Sequence, residues 1–263
     1  MKTFTLTVDD NIRALRELTE APRESLFDHP YLAVFKRLHN TYHAKIQLNL
    51  FYREGDFTLS DMTDRYRDEW ASASDWLKLS FHSDAETPKP YENSGYQEVF
   101  TDADRVHREI LRFAGSASLA QTTTLHFCLA TREGLRALKN CGIIGLLGLY
   151  GSDTAPRGSY QNSEDAQKAL RRGETAQEDG ITYAAIDLIL NQTPLDTLPK
   201  ALSPYLARKR IAVMIHEQYF YPDYHRYQAD FEDKLTTALR ILTENQFKSV
   251  FFEETVTKER ILP

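Results

Sequence analysis

Acidic and imidazole side chains stand at the ends of apolar segments in this sequence. Asp9 and Asp10 close the first such segment, and two later segments end at His82 and His216. Carboxylates and imidazoles bind divalent transition metals and also serve as general acids and bases. If the apolar segments are parallel strands, their carboxyl ends converge on one face and bring these groups together. The residue types and positions therefore predict a site for metal-assisted acid–base chemistry.

Four further side chains are candidates for ligand or substrate contact. His126 lies near the end of one apolar segment, and Glu253 ends the last. Asp187 lies inside an apolar run, where an unpaired carboxylate would be costly, so it needs a cationic partner or a metal. Glu217 follows His216 in a segment that is unusually polar for one directly after an apolar strand. A packed interior histidine or a solvated acid is the alternative explanation for several of these residues.

The spacing after His82 suggests a ligand set. Glu86 follows His82 by four residues, and on a helical turn positions i and i+4 lie on the same side and can bind one ion. We expect Asp10, His82 and Glu86 to hold one divalent cation, with His126 as an alternative third ligand. Such nitrogen and oxygen donors suit Zn, Mn, Fe, Co or Ni without choosing among them. For Asp10, capping of the following helix is the structural alternative.

Strand-length apolar segments that could position these groups alternate with amphipathic ones. Several are almost continuously apolar, as parallel strands covered on both faces are. The eight segments span residues 4–8, 45–52, 77–82, 123–127, 143–150, 182–190, 211–216 and 249–253. Helical spacing of apolar residues marks the segments 11–19, 102–113, 131–140 and 231–245.

This alternation predicts an α/β fold, with a parallel sheet closed into a distorted TIM-like (β/α) barrel of seven or eight strands. An open doubly wound sheet would require a glycine-rich loop after the first strand, and residues 8–11 contain no glycine. Polar segments at about 83–97 and 151–180 predict long loop insertions, the second with one helix near residues 162–171. We expect one domain over residues 1–263.

Composition narrows the class of protein further. The chain is 41% hydrophobic and 27% charged, which is typical of a folded globular protein and argues against disorder. A net charge of −6 without any basic run argues against nucleic acid as a partner. No apolar stretch approaches the roughly 20 residues needed to span a bilayer. Acids at positions 9 and 10 argue against a signal peptide, and two cysteines exclude a disulfide framework, so we expect a cytoplasmic protein.

The residues named above resemble the motifs of the polysaccharide deacetylase (carbohydrate esterase) family. Residues 7–10, Thr-Val-Asp-Asp, resemble the first motif, Thr-Phe-Asp-Asp-Gly. Residues 82–86 resemble the second, His-Ser/Thr-x-x-His, and residues 214–216 resemble the last, an apolar strand that ends in histidine. The sequence departs from the family at Asn11, which replaces glycine, and at Glu86, which replaces the second histidine. The family's Arg-containing and Asp-Trp motifs have no counterpart.

The resemblance implies a deacetylase-type barrel that hydrolyses the acetyl group of an N-acetylated sugar or polysaccharide precursor with one bound divalent metal. It implies that Asp9 is the catalytic base, that His216 is the general acid, and that Asp10 binds the metal. Asp187 or Glu253 would orient His216. The resemblance also extends to barrel proteins that accompany surface-polysaccharide biosynthesis.

Three other functions are compatible with the sequence. The departures at Asn11 and Glu86 are what a catalytically silent carbohydrate-binding barrel would show. A metal-free glycoside hydrolase could use Asp9 and Glu253, provided that the two carboxyl groups lie about 5 to 9 Å apart. A nucleophilic Cys128 is the weakest alternative, because no strained nucleophile turn surrounds it. An aromatic cluster over residues 219–227 suits the apolar faces of sugar rings and equally suits ordinary packing.

Overall fold

The computed structural model describes residues 1–87, 91–152, 154 and 156–259, and it shows a mixed α/β fold. Apolar segments rich in branched and aromatic residues form the longer strands, such as Lys2–Asn11 and Arg210–His216. The strands are β1 (Lys2–Asn11), β2 (Ile46–Phe51), β3 (Arg53–Glu54), β4 (Phe57–Thr58), β5 (Leu77–Ser83), β6 (Thr122–Thr123), β7 (Gly145–Gly148), β8 (Ala176–Glu178), β9 (Ile181–Ala185), β10 (Leu188–Ile189), β11 (Arg210–His216) and β12 (Phe247–Ser249).

Amphipathic helices lie between these strands and bury their apolar sides. In the first helix, for example, Ala14, Leu15 and Leu18 are buried at the spacing of one helical face. The helices are α1 (Arg13–Glu20), α2 (Pro30–Tyr42), α3 (Arg67–Ala73), α4 (Tyr96–Phe113), α5 (Arg132–Asn140), α6 (Glu164–Arg171), α7 (Leu198–Leu202), α8 (Phe231–Glu244) and α9 (Phe252–Glu259). Among the residues that the structure describes, no helix is long and apolar enough to cross a membrane.

The strands form two main sheets. The larger has the order β10-β11-β1-β2-β5, with every neighbouring pair parallel, and β12 pairs with the start of β1. The smaller has the order β6-β7-β9-β8, in which only the β8–β9 pair is antiparallel. The α/β class with a parallel sheet is therefore confirmed. Parallel pairing also aligns the carboxyl ends of β1, β5 and β11 along one edge.

A closed barrel is not confirmed, because the described strands form no closed sheet. The two sheets approach each other at two places. The segment 181–189 contributes β9 to the smaller sheet and β10 to the larger one. Near β5 and β6, the backbone pairing is a single bridge between Leu79 and Leu119. The β6 ladder is short because the chain leaves extended geometry at a 3-10 turn over His126–Cys128.

Several predicted boundaries were wrong for identifiable reasons. The segment 123–127 contributes only its first residue to a strand, and the segment 249–253 ends its strand at Ser249 and begins α9 at Phe252. The acids after Ser249 stabilise a helix N-terminus, which is why that segment is not extended. The insertion 151–180 contains α6 at the place where the sequence suggested one helix, together with β8, and residues 153 and 155 lie outside the described part. Within 83–97, residues 88–90 also lie outside it, and α4 begins at Tyr96.

Candidate metal and catalytic site

A cavity of about 550 Å³ lies at the carboxyl ends of the strands of the larger sheet. Asp9, Asp10, His82, His126 and His216 all line it. They come from β1, β5, β11 and the turn after β6, which are far apart in sequence. Parallel pairing brings them together, as the positions of these residues at strand ends predicted.

A bulge in β1 turns two adjacent aspartates toward this cavity. Side chains alternate across a regular strand, so Asp9 and Asp10 would otherwise lie on opposite faces. The β1–β2 register shifts between Val8 and Asn11, where β1 has one more residue than β2. Asp10 adopts a left-handed backbone conformation there, with φ at 65°. The bulge thus re-aims one carboxylate, as bulges near active sites do.

Asn11, which stands in place of the motif glycine, hydrogen-bonds across the bulge. Its Nδ2 donates to the carbonyl oxygens of Val8 at 2.6 Å and of Asn49 at 3.2 Å. Its Oδ1 accepts a hydrogen bond from the Tyr31 hydroxyl at 2.6 Å. These bonds connect Asn11 to the backbone of β1 and β2 at the bulge and to the side chain of Tyr31. Asn11 therefore stabilises the bulge that positions Asp10.

Asp10, His82 and His126 form a compact buried group whose geometry could hold a metal ion. Asp10 Oδ1 lies 3.0 Å from His82 Nε2 and 3.3 Å from His126 Nδ1. The two imidazole nitrogens are 3.3 Å apart. His126, rather than the Glu86 carboxylate, is the third member of this group.

Each imidazole has an inner nitrogen that faces Asp10 and an outer nitrogen that faces away from it. The contact of the outer nitrogen determines whether the inner one carries a proton or a lone pair. His82 Nδ1 contacts the Thr124 carbonyl oxygen, and His126 Nε2 contacts the Glu86 carbonyl oxygen at 3.1 Å. A carbonyl can only accept, so these outer nitrogens carry the protons. In the neutral rings, the inner nitrogens then present lone pairs to Asp10 Oδ1. This buried oxygen has no hydrogen-bond partner within the described part of the chain. Three converging lone pairs favour a cation, and histidine ligands commonly donate their other N–H to a carbonyl.

Protons on the inner nitrogens are the alternative to a cation in this group. Burial raises the pKa of Asp10, but hydrogen bonds from the protonated forms of His126 and His82 outweigh it and hold the pKa well below its ordinary value. Burial lowers the pKa of His82, but the nearby charges of Asp9 and Asp10 raise it overall. The ligand positions therefore attract either protons or a metal ion.

Asp9 is held beside this group by a buried polar chain. Asn49 Nδ2 donates to Asp9 Oδ1 at 2.7 Å, and Gln47 Nε2 donates to Asn49 Oδ1 at 2.8 Å. Gln47 is bonded in turn to Thr122. Burial raises the pKa of Asp9, and the charges of His82 and His216 oppose that effect. Asp9 is therefore a fixed carboxylate of increased basicity.

His216 is oriented by an asparagine that the sequence interpretation missed. Its Nδ1 lies 2.8 Å from Asn191 Oδ1, and because an amide oxygen accepts, Nδ1 carries the proton. Nε2 is then the nitrogen available for chemistry. The backbone of His216 pairs with that of Asp9 in the β1–β11 register. The predicted partners, Asp187 and Glu253, are bonded elsewhere.

Asp187 forms an ion pair away from the cavity. One carboxylate oxygen accepts a hydrogen bond from the Arg208 guanidinium, and the other accepts from the Ala212 N–H at 2.8 Å. Burial raises the pKa of Asp187, and the charges of Arg210 and Arg208 oppose it. The cationic partner that its buried position required is thus Arg208.

Replacement of Asp187 by alanine should destabilise the fold. The change leaves the Arg208 guanidinium without its carboxylate. We expect the free energy of unfolding to fall by about 2–3 kcal/mol, less than for a fully buried pair because Arg208 is partly exposed. Urea unfolding measures the difference. Asp196→Ala, at an exposed position, is the matched control and should change stability by less than about 0.5 kcal/mol. Equal stability of the two variants would contradict the assignment.

Glu217 caps a helix. Its carboxylate accepts hydrogen bonds from the N–H groups of Ile12 at 2.7 Å, Arg13 at 3.0 Å and Ala14 at 2.9 Å, at the start of α1. Burial raises the pKa of Glu217 to about 7, and the three N–H donors oppose that increase. The bonds tie the chain after β11 to the chain after β1 and so hold two sides of the cavity together.

The carboxylates of Glu253 and Glu86 also lie outside the group formed by Asp10, His82 and His126. Glu253 bonds to Lys78 Nζ at 2.5 Å and to the Gln121 N–H at 2.6 Å, near the amino ends of β5 and β6 and therefore away from the cavity. The Glu86 side chain is exposed, and only its backbone carbonyl meets His126. The i, i+4 argument requires a helical turn, and the chain after β5 is not helical.

Polar residues in apolar surroundings could have revealed the supporting residues. Gln47 and Asn49 interrupt the apolar strand β2 at alternate positions, which indicates one shared face. Gln218, two residues after His216, donates to Asp10 Oδ2 at 2.6 Å. Asn191 lies in the 3-10 turn after β10 and has no comparable sequence signal.

Solved structures of carbohydrate enzymes are similar to this chain. A family 4 acetyl xylan esterase from Clostridium thermocellum in complex with a cobalt ion is 12% identical, with 100% of this chain and 93% of that chain covered and a TM-score of 0.54. A peptidoglycan N-acetylglucosamine deacetylase is 10% identical. The match covers 96% of this chain and 86% of that chain, with a TM-score of 0.56. A 4-alpha-glucanotransferase from Thermococcus litoralis is 13% identical, with a TM-score of 0.61. That match covers 98% of this chain but only 41% of the glucanotransferase, so this chain spans less than half of that enzyme's length.

These likenesses confirm the predicted resemblance to carbohydrate deacetylases at the level of the fold. A further carbohydrate deacetylase matches over 98% of this chain with a TM-score of 0.55. No protein-family model matches the sequence, and no curated protein matches it.

Proposed function

We propose that this chain is a metal-dependent hydrolase that removes the acetyl group from an N-acetylated sugar or polysaccharide precursor. The observation that carries the proposal is the convergence of lone pairs from Asp10, His82 and His126 in a buried group, next to Asp9 and His216. The fold it shares with an acetyl xylan esterase and a peptidoglycan deacetylase supports the class of substrate.

The donor set suits a divalent ion. One carboxylate oxygen and two imidazole nitrogens are ligands that Zn, Mn, Fe, Co and Ni accept, and three protein ligands leave positions open for water and substrate. When bound, such an ion supplies Lewis acidity to an acyl oxygen and increases the acidity of water. Gln218, through its bond to Asp10 Oδ2, leaves Oδ1 for the ion.

Asp9 acts as the general base in this proposal. It accepts a proton from the water whose oxygen attacks the acyl carbon. Its raised pKa makes it a stronger base than an exposed aspartate. The bond from Asn49 to Oδ1 fixes the carboxylate and leaves Oδ2 for the transferred proton.

His216 acts as the general acid. In its protonated form, Nε2–H donates a proton to the departing nitrogen while the C–N bond breaks, and Nδ1–H remains bonded to Asn191. The products are acetate and the free amine of the sugar. Asp9 then returns its proton to solvent and His216 regains one, so that both groups are restored.

Two other functions are less consistent with the geometry. A metal-free glycoside hydrolase would need Asp9 and Glu253 on either side of one sugar, but Glu253 bonds near the amino ends of the strands. A nucleophilic Cys128 is disfavoured because burial raises the pKa of its thiol to about 12. A silent carbohydrate-binding protein differs from the proposal only in turnover.

Removal and return of metal test the proposal. We expect the purified protein to release acetate from at least one member of a panel of N-acetylated oligosaccharides. Chelation followed by dialysis should reduce kcat/KM by at least about 100-fold, and addition of Zn, Co or Mn should restore it. Full activity after rigorous chelation would refute metal dependence. Saturable binding of the sugars without acetate release in the metal-loaded protein would instead favour the silent binding protein.

A further inference from the structure

Phe127 is an exposed aromatic residue at the edge of the candidate site. Its side chain is 61% exposed, a large fraction for a phenylalanine, and it lines the cavity of about 550 Å³ that contains the ligand group. Its ring centroid lies 4.2 Å from that of His126. The exposed ring is therefore next to a candidate metal ligand.

The backbone of Phe127 is in a conformation that phenylalanine disfavours. Its φ is 59°, and that of the following residue, Cys128, is 57°. For residues with a Cβ, the left-handed region costs on the order of 1–2 kcal/mol. Glycine or asparagine adopts this conformation at lower cost. A ring that is mostly exposed gains little from burial, so packing does not offset the strain.

The turn itself does not require this side chain. The Cys128 N–H donates to the Leu125 carbonyl at 2.7 Å, and the Tyr160 hydroxyl contacts the Leu125 N–H at 3.1 Å. Both contacts use the backbone of the turn and would persist with glycine at position 127. Local strain that the fold does not need is a feature of functional sites. The ring therefore has a use outside the folded core.

Aromatic residues also lie on the His216 side of the cavity. Tyr219 and Tyr224 pack edge to face with ring centroids 5.3 Å apart, and both line the cavity. Tyr224 also lines a neighbouring cavity of about 460 Å³, which shares Asp10 and Gln218 with the first. The two cavities therefore adjoin at Asp10 and form one cleft, with Phe127 lining the cavity that also contains His82 and His126.

We propose that Phe127 is a sugar-binding residue whose exposed ring stacks on the apolar C–H face of a pyranose in an oligosaccharide bound along this cleft. The inference rests on the proposed function and adds to it one residue that binds the sugar. Phe127 takes no part in proton transfer. It holds the sugar next to His126, so its loss should affect KM more than kcat.

Three variants at this position separate binding from folding. Phe127→Ala and Phe127→Gly both remove the ring, and each should raise KM for an acetylated oligosaccharide by about 3- to 10-fold, with kcat and metal content nearly unchanged. Phe127→Tyr should retain the wild-type KM. Because glycine relieves the strain and alanine does not, Phe127→Gly should melt about 2–4 °C higher than Phe127→Ala. Leu111→Ala, at an exposed apolar position on α4, is the control and should leave KM unchanged.

The outcomes distinguish this inference from the function on which it rests. Acetate release with an unchanged KM in both Phe127→Ala and Phe127→Gly would overturn the role of Phe127 and leave the deacetylase proposal intact. A fall in kcat equal to the rise in KM, or a loss of metal, would show a structural role and would also overturn it. Neither binding nor turnover of any oligosaccharide by the metal-loaded wild type would overturn both proposals.

Discussion

Asp10→Ala is expected to abolish tight metal binding. Asp10 contributes the only carboxylate of the ligand group, and its buried Oδ1 faces both imidazoles. Loss even of an outer-shell partner costs about 10- to 100-fold in metal affinity, so loss of a direct ligand should cost more than about 100-fold. Elemental analysis after dialysis should find about one divalent ion per chain in the wild type and almost none in the variant. Circular dichroism checks that the variant is folded.

A matched pair of variants identifies the third ligand. His126→Ala should lose the metal as Asp10→Ala does, because it removes a nitrogen of the group. Glu86→Ala should keep the metal, since the structure uses only the backbone carbonyl of residue 86, which alanine retains. Metal loss in Glu86→Ala together with metal retention in His126→Ala would contradict His126 as the third ligand. That result would support Glu86, which the i, i+4 spacing suggested.

His216→Ala is expected to reduce kcat by about 100- to 10,000-fold while the metal content stays unchanged. The imidazole is not part of the ligand group, so its removal should affect proton donation to the leaving amine and not metal affinity. Steady-state kinetics and elemental analysis on one preparation measure both quantities. Metal loss in this variant, or wild-type kcat, would contradict the assigned role.

Asn191 provides a second test of the same role through the pH profile. An amide oxygen orients Nδ1–H of His216 but brings no charge. In Asn191→Asp, a carboxylate would stabilise the protonated imidazole, which is the form that donates. Activity of a general acid is lost as pH rises, so the alkaline limb of the kcat/KM profile should move to higher pH. An alkaline limb that stays in place would contradict the role of His216 as the general acid.

The position of the site was predictable because strand ends are a local property of the sequence. Asp9, Asp10, His82 and His216 each follow or end a segment whose apolar run indicates a buried parallel strand. In a parallel sheet all carboxyl ends share one edge, so the strand interpretation alone brings the four residues together. The alternation of strands and helices likewise predicted the α/β class, although it did not predict where the two sheets separate.

The partners of each side chain were not predictable in the same way. Sequence periodicity indicates which face a residue lies on, but it does not show how a loop returns to the site. His126 reaches Asp10 through a left-handed turn at Phe127 and Cys128, and Asn191 meets His216 through a 3-10 turn. Glu86 has the better sequence spacing but lies on a non-helical segment.

The sequence by itself determined the fold class, the edge of the sheet where the candidate site lies, and the residue types available there. Periodic burial and strand ends depend on near neighbours along the chain, which is why these features can be read locally. Only the tertiary structure decided that His126 joins Asp10 and His82, that Asn191 orients His216, and which acids are structural. These choices depend on contacts between distant segments, whose geometry is set by a bulge and by turns that leave little periodic signal.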